Sequence, residues 1–101
     1  MTYELALKLK NAGFKSNSEV FIKENGETYK WNELKTGGVL LPNLSELIEA
    51  CGESGFILQY RGQEEFWLAE KYYGIEKPQD LATGSTPEEA VAKLWLVINK
   101  K

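Results

Sequence analysis

The dipeptide Asn25-Gly26 is the strongest constraint on the fold, because it separates two extended stretches at 19–23 and 27–31. A two-residue hairpin turn needs positive φ at both central positions, and Asn-Gly meets that need well. The sequence therefore predicts an antiparallel hairpin with a two-residue turn. In that register one face is apolar and consists of Val20, Ile22, Tyr29 and Trp31. Phe21 is the one apolar residue predicted on the other face.

Three further segments carry the apolar spacing and the end signals of helices. The first ends at Gly13, beyond which Phe14 is expected to fold back onto the last turn. The second begins after Asn43 and ends before Gly52. The third begins after Thr86, which is followed by proline and two glutamates, and it runs to about position 99. The chain is thus predicted to contain three helices.

A second hairpin is predicted from 56–61 and 65–71, around Gly62. A connection of two or four residues gives the same alternation of faces. One side then carries Phe56, Leu58, Tyr60, Trp67 and Ala69, and the other carries Ile57, Gln59, Phe66 and Leu68. Residues 39–41 are predicted to be a short extended run, and 72–84 a loop that could contain an irregular strand.

The 101 residues are 43 % apolar and 27 % charged, which is typical of one globular domain over residues 1–101. The elements alternate as helix, hairpin, helix, hairpin, helix, without regular strand-helix-strand spacing. This order predicts the α+β class. The simplest assembly is a two-layer sandwich, in which a mostly antiparallel sheet of about four strands carries the three helices on one face. The strand order is left open.

Charge and composition exclude several classes of function. Twelve basic against fifteen acidic residues give a net charge of −3, which disfavours direct binding to nucleic acid. The longest apolar stretch, 94–98, is far too short to span a membrane. The single cysteine cannot form an intramolecular disulfide, and the sequence opens without a secretory leader. We therefore expect a cytoplasmic protein.

Catalytic chemistry is poorly supported, because the chain contains no histidine. Cys51 falls on the apolar stripe of the second helix and is expected to be a core thiol, since no imidazole can activate it. The acidic pairs at 64–65 and 88–89 are expected to serve a turn and a helix start rather than a metal or a proton transfer. The sequence therefore predicts no enzyme activity, no cofactor and no metal.

Four motifs resemble a known group of sequences. LSELIEACG at 44–52 and GSTPEEAVAKLWL at 84–96 are accompanied by Ala-Gly-Phe at 12–14 and Trp-Leu-Ala at 67–69. Taken in their order along the chain, from Ala-Gly-Phe to GSTPEEAVAKLWL, they are similar to small uncharacterised proteins of bacteriophages and prophages. The resemblance implies a bacterial host and carries no assigned activity. The start of the third helix also resembles the HicB-type antitoxin fold, through Gly84, Thr86, Glu88, Glu89 and Ala90. The first helix and the first hairpin depart from that fold.

Several large apolar side chains fall on faces that a simple two-layer model leaves open. They form a predicted protein interface of Phe21, Phe66, Leu68, Tyr72, Tyr73 and Trp95. The alternative is that the helices cover more of the sheet, or that the two tyrosines fold over its edge. We expect a non-enzymatic protein-interaction module that binds a protein partner or forms a homodimer. An antitoxin-like or acidic inhibitor of a basic partner is the alternative, and an enzyme using carboxylates or a metal is the third.

Overall fold

The structure is a computed structural model, and it describes residues 1–30, 37–74 and 79–99. Within these ranges it contains three helices and six strands. The helices are α1 (Tyr3–Asn11), α2 (Leu44–Cys51) and α3 (Pro87–Asn99). The strands are β1 (Val20–Lys23), β2 (Thr28–Lys30), β3 (Gly38–Leu40), β4 (Phe56–Arg61), β5 (Phe66–Lys71) and β6 (Asp80–Gly84). The chain divides into two compact units, residues 1–43 and 44–101.

The α+β class and the three helices are confirmed, but the prediction of a single sheet with about four strands is wrong. The strands form two antiparallel sheets of three, in the orders β2-β1-β3 and β4-β5-β6. The additional strands are β3, from the extended run at 39–41, and β6, from the segment predicted to be a loop. Neither shows a clear alternating pattern, because β3 is three residues long and β6 contains aspartate, alanine and glycine. The single domain over 1–101 stays a prediction.

In the first unit, α1 packs on β3 and β1 and is held at both ends by local hydrogen bonds. The Leu5 amide donates to the hydroxyl oxygen of Thr2 at 3.2 Å. At the other end Gly13 has φ +95°, its amide donates to the Lys10 carbonyl, and the Phe14 amide donates to the Leu9 carbonyl. The predicted return of Phe14 onto the last turn is confirmed. The buried cluster of this unit is Ala6, Ile22 and Val39.

The hairpin of β1 and β2 differs from its predicted register by one residue. Phe21 pairs with Tyr29 and Ile22 with Thr28, so the loop has three residues, 24–26. A two-residue turn would need positive φ at Asn25, but among the described residues only Glu65 shows that conformation outside glycine. The Asn25 side chain instead accepts a hydrogen bond from the Glu27 amide at 3.0 Å.

This one-residue difference exchanges the faces of the strands. The prediction that Phe21 is the one apolar residue on its face is therefore wrong. Phe21 shares that face with Tyr29, and the two rings stack with their centroids 5.3 Å apart. Ile22 lies on the other face, beside Val39. Trp31, which the sequence predicts on the apolar face with Ile22 and Tyr29, lies outside the described residues.

In the second unit, α3 packs on β5 and β6, and α2 packs on α3. The β4–β5 pairing, from Phe56 opposite Lys71 to Arg61 opposite Phe66, confirms the predicted faces with a four-residue connection. The predicted cap of α3 is also confirmed, because the Glu89 amide donates to the Thr86 hydroxyl oxygen at 3.2 Å. The buried apolar residues of this unit are Leu47, Cys51, Ala69, Ala90, Val91, Ala92, Leu94 and Trp95.

Candidate functional site

One face of the second sheet packs against α3 and carries the buried residues Ala69 and Gly84. The candidate site is on the opposite face. We call this side the open face; strand alternation and pairing assign to it Ile57, Gln59, Arg61, Phe66, Leu68, Glu70, Leu81 and Thr83. Ile57 is 44 % exposed and Leu81 is 50 % exposed, whereas Phe66 and Leu68 are half-buried. The open face therefore presents accessible apolar side chains on a rigid backbone.

A buried carboxylate lies at the centre of these apolar residues. Glu70 pairs with Ile57 on one neighbouring strand and with Leu81 on the other, so the three side chains form a row across the sheet. Glu70 is only 7 % exposed. The row is thus apolar at both ends and acidic in the middle.

Three neutral donors hold the Glu70 carboxylate. The Gln59 amide nitrogen donates to Oε1 at 3.3 Å, and the Gln79 amide nitrogen donates to Oε2 at 3.3 Å. The Tyr72 hydroxyl also donates to Oε2, and this hydrogen bond raises the pKa of Tyr72. Within the described residues, no lysine or arginine forms an ion pair with this carboxylate. Its orientation is therefore fixed without a neutralising charge.

Tyr73 makes a second tyrosine-carboxylate pair at the same end of β5. Its hydroxyl donates to Asp80 Oδ2 at 2.6 Å, and this bond raises the pKa of Tyr73 to about 12. Asp80 pairs with Lys71 and therefore lies on the other side of the sheet from Glu70, which holds the Tyr72 hydroxyl. The two rings are half-exposed at the surface, yet both hydroxyls are anchored.

The residues of the predicted interface are distributed over several places. Phe66 and Leu68 share the open face, and Tyr72 is joined to it through Glu70. Phe21 belongs to the first unit. The expectation that Trp95 lies on an uncovered face is wrong: it is 8 % exposed, because the buried side of α3 extends further around the helix than its apolar stripe indicates.

The open face also contains residues that sequence analysis did not single out as a site. Strand alternation predicts Ile57 on this side, but its exposure depends on α3 packing on the other face of the sheet and α2 packing on α3. Leu81 falls in the segment predicted to be a loop. Glu70 is one of fifteen acidic residues in the chain, and nothing local marks it as buried.

The Cys51 thiol is poorly suited to nucleophilic chemistry. It is buried, and its sulfur lies 3.8 Å from the Val91 carbonyl oxygen. Burial raises the pKa of Cys51 to about 11, although the Lys71 charge opposes that shift. Lys71 itself donates to the Gly52 carbonyl at 3.0 Å and to the Ser54 carbonyl. The thiol is therefore protonated at neutral pH.

Across residues 1–30, 37–74 and 79–99, no group of three acidic or thiol side chains has an arrangement that could hold a metal ion. None of the helices in these ranges has both the length and the apolar content needed to cross a bilayer.

Comparison with protein-family models, with curated proteins and with solved structures gave no match in any of the three. The candidate site therefore has to be interpreted from its own geometry.

Proposed function

We propose that this chain is a non-enzymatic protein-binding module, and that its open face binds a partner with a basic side chain surrounded by apolar ones. The observation that carries the proposal is the row Ile57, Glu70, Leu81, which places an oriented carboxylate between two exposed aliphatic groups. Interface centres are typically apolar, and a charged group placed among them gives specificity for a partner of complementary charge.

The open face is prepared for binding before a partner arrives. Gln59, Tyr72 and Gln79 already fix the Glu70 carboxylate, so little side-chain entropy remains to be lost there on association. Strand pairing likewise fixes the positions of Ile57 and Leu81. A partner that fits this arrangement therefore gains affinity from rigidity as well as from contact.

Charge favours a basic group in the partner. The Glu70 carboxylate receives hydrogen bonds from neutral donors only, within the described part of the chain. Arg61 also lies on the open face, but it forms an ion pair with Glu64 rather than with Glu70: its Nε is 3.6 Å from Glu64 Oε2. A partner guanidinium would supply the missing charge and would meet a chain with a net charge of −3.

The same charge disfavours a homodimer made by the centres of two open faces. A twofold axis at Glu70 would bring the Glu70 carboxylates of the two copies together. Little water would remain to screen their repulsion, which opposes association. A different partner is therefore favoured. An antitoxin-like or acidic inhibitor that neutralises a basic protein in a bacterial host is the narrower form of this proposal, and it is supported by the net charge and by the motif at the start of α3.

The test is a selection of random peptides on the immobilised protein, displayed on phage. We expect enriched peptides to contain arginine or lysine beside an aliphatic or aromatic residue. Their affinity should fall at least about tenfold for Leu81→Lys, which places a charge in the apolar row, and for Glu70→Gln, which removes the carboxylate charge. Ala50→Lys is the matched control, because it adds the same charge at an exposed position of α2.

Two results would contradict the proposal. One is an enriched peptide set that binds Leu81→Lys and Ala50→Lys equally well, which would place the binding site elsewhere. The other is a selection without any enriched pattern. Sedimentation equilibrium is measured in parallel: we expect a monomer, and a dimer that Leu81→Lys dissociates would make a second copy of the chain the partner.

A further inference from the structure

A cavity of about 180 Å³ in the first unit is lined by residues of α1, of the segment that follows it and of β1 and β3, and by Pro42. Its lining residues all belong to the first unit, whereas the residues of the open face belong to the second. The cavity is lined by Ala6, Leu9, Lys10, Phe14, Ser16, Phe21, Gly38, Leu40 and Pro42. Ala6, Leu9 and Pro42 are buried and form its inner part, whereas Lys10 is exposed. The cavity therefore opens to solvent on the side of Lys10.

Local structure holds the walls of the cavity in place. Phe14 is fixed by the capping bonds that end α1, and the Phe21 ring stacks on Tyr29. Gly38 completes the wall beside them: a Cβ atom there would lie 2.8 Å from the Tyr29 hydroxyl oxygen. A side chain at Gly38 would therefore displace the Tyr29 hydroxyl, so the present wall depends on glycine at this position.

The size of the cavity corresponds to one ring and a small substituent. An apolar cavity of about 150 Å³ is known to stay dry and to bind benzene. The present cavity is somewhat larger, opens to solvent, and is lined mainly by apolar residues. A single aromatic ring fits the interior, with space for a few further atoms towards the opening.

The positive charge of Lys10 at the opening of the cavity favours a ligand with an anionic substituent. Of the nine lining residues, Lys10 alone carries a formal charge, and the set contains no acidic residue. Lys10 also forms no ion pair with another described residue. Beside it, the Leu9 and Lys10 carbonyls at the end of α1 already accept hydrogen bonds from Phe14 and Gly13. An anionic group on the ligand therefore meets a cation rather than unpaired carbonyls.

We propose that this cavity binds a small aromatic monocarboxylate, with its ring among Leu9, Phe21 and Leu40 and its carboxylate at Lys10. The inference does not depend on the proposed protein-binding role of the open face. The ligand class follows from volume, apolar lining and a single cation, and benzoate is its simplest representative.

The proposal is tested by titrating the full chain with benzoate and with benzyl alcohol, its neutral analogue, while amide resonances are followed by NMR. We expect saturable shifts at Leu9, Phe14 and Phe21, with a Kd for benzoate of about 1 mM, as befits so small a ligand. Benzyl alcohol should bind about two- to fivefold more weakly, because it lacks the charge that pairs with an exposed lysine.

Three variants separate the contributions of charge and shape. Lys10→Gln should weaken benzoate binding about two- to fivefold and leave benzyl alcohol unchanged. Lys8→Gln, on an exposed position of the same helix that does not line the cavity, is the matched control and should change neither. Leu40→Trp should fill the cavity and abolish the binding of both ligands, provided that its amide spectrum shows a folded protein. If that variant unfolds, Ser16→Leu fills the cavity from the open side.

The proposal is overturned if neither ligand gives saturable shifts, or if benzyl alcohol binds as tightly as benzoate. It is also overturned if a folded cavity-filling variant binds both ligands with unchanged affinity.

Discussion

Cys51 illustrates how burial can outweigh a nearby positive charge in setting the chemistry of a reactive side chain. Its apolar spacing in the second helix predicts a core position, and the structure confirms this. Burial penalises the thiolate and raises the pKa of Cys51 from its ordinary value of 9.0 to about 11. The thiol therefore acts as a small apolar group at neutral pH, and its proton becomes relevant only in alkaline solution.

We expect Cys51 to make the folded state sensitive to alkaline pH. Below pH 9.0 the thiol is protonated in both states; between 9.0 and about 11 the unfolded chain releases the proton while the folded chain retains it. The free energy of unfolding should therefore fall as pH rises, by about 1–3 kcal/mol from this group. Urea denaturation below pH 9.0 and near pH 11 measures the loss.

The control for this experiment is Cys51→Ala, which removes the thiol and leaves the other titrating groups. Tyr73 acts in the same direction, since its raised pKa is about 12, but it is present in both proteins. The wild type should therefore lose more stability than Cys51→Ala. An equal loss in the two proteins would show that the thiol does not contribute.

At the scale of elements, Gly84 determines how closely α3 approaches the second sheet. A Cβ atom at this position would lie 2.6 Å from the Ala90 amide nitrogen and 2.7 Å from the Glu89 Cβ. These atoms belong to the first turn of α3 and cannot rotate away. Contact between the strand and the helix therefore depends on the missing side chain.

We expect Gly84→Ala to lower the free energy of unfolding by about 2–3 kcal/mol, because the helix has to move away from the strand. Gly26→Ala is the comparison: Gly26 has φ +91° but open space around its Cβ position, so its cost is backbone strain of about 1 kcal/mol. Thermal or urea denaturation of both variants checks the difference. A smaller effect for Gly84→Ala would mean that α3 is not tightly seated.

The elements also show what a sequence of this kind can and cannot predict. The three helices were predictable because their signals are local, as the Thr86 cap and the stop at Gly13 demonstrate. β6 was not, because its residues become a strand only through pairing with β5. The consequence extends to the candidate site: Phe66 and Leu68 follow from alternation within one hairpin, whereas the position of Leu81 beside Glu70 requires the third strand.

At the scale of the whole molecule, the two units differ in how well their strands are supported. In the second unit β5 has six residues, is paired on both sides, and packs against α3. In the first unit the strands have three or four residues, and β2 lies at an edge of its sheet. Short strands leave more of their hydrogen bonds near solvent, which favours local opening.

We therefore expect the amides of β5 and α3 to exchange with solvent deuterium most slowly. Protection in β1 and β2 should be lower by at least about tenfold, which corresponds to about 1.4 kcal/mol of opening free energy. Hydrogen exchange followed by NMR measures both at once. Equal protection in the two units would indicate that both open only by global unfolding and would support the prediction of a single cooperative domain.

The three-residue tip at 24–26 has a consequence for how this chain can evolve. The loop joins Lys23 to Glu27, a pair that a two-residue turn can also close, so deleting one tip residue leaves Phe21 opposite Tyr29. A shift of β2 along β1 would instead turn Tyr29 away from its stacking partner and from Gly38. Descendants of this sequence can thus shorten the tip, whereas a slipped pairing would remove the ring that supports the Phe21 wall of the cavity.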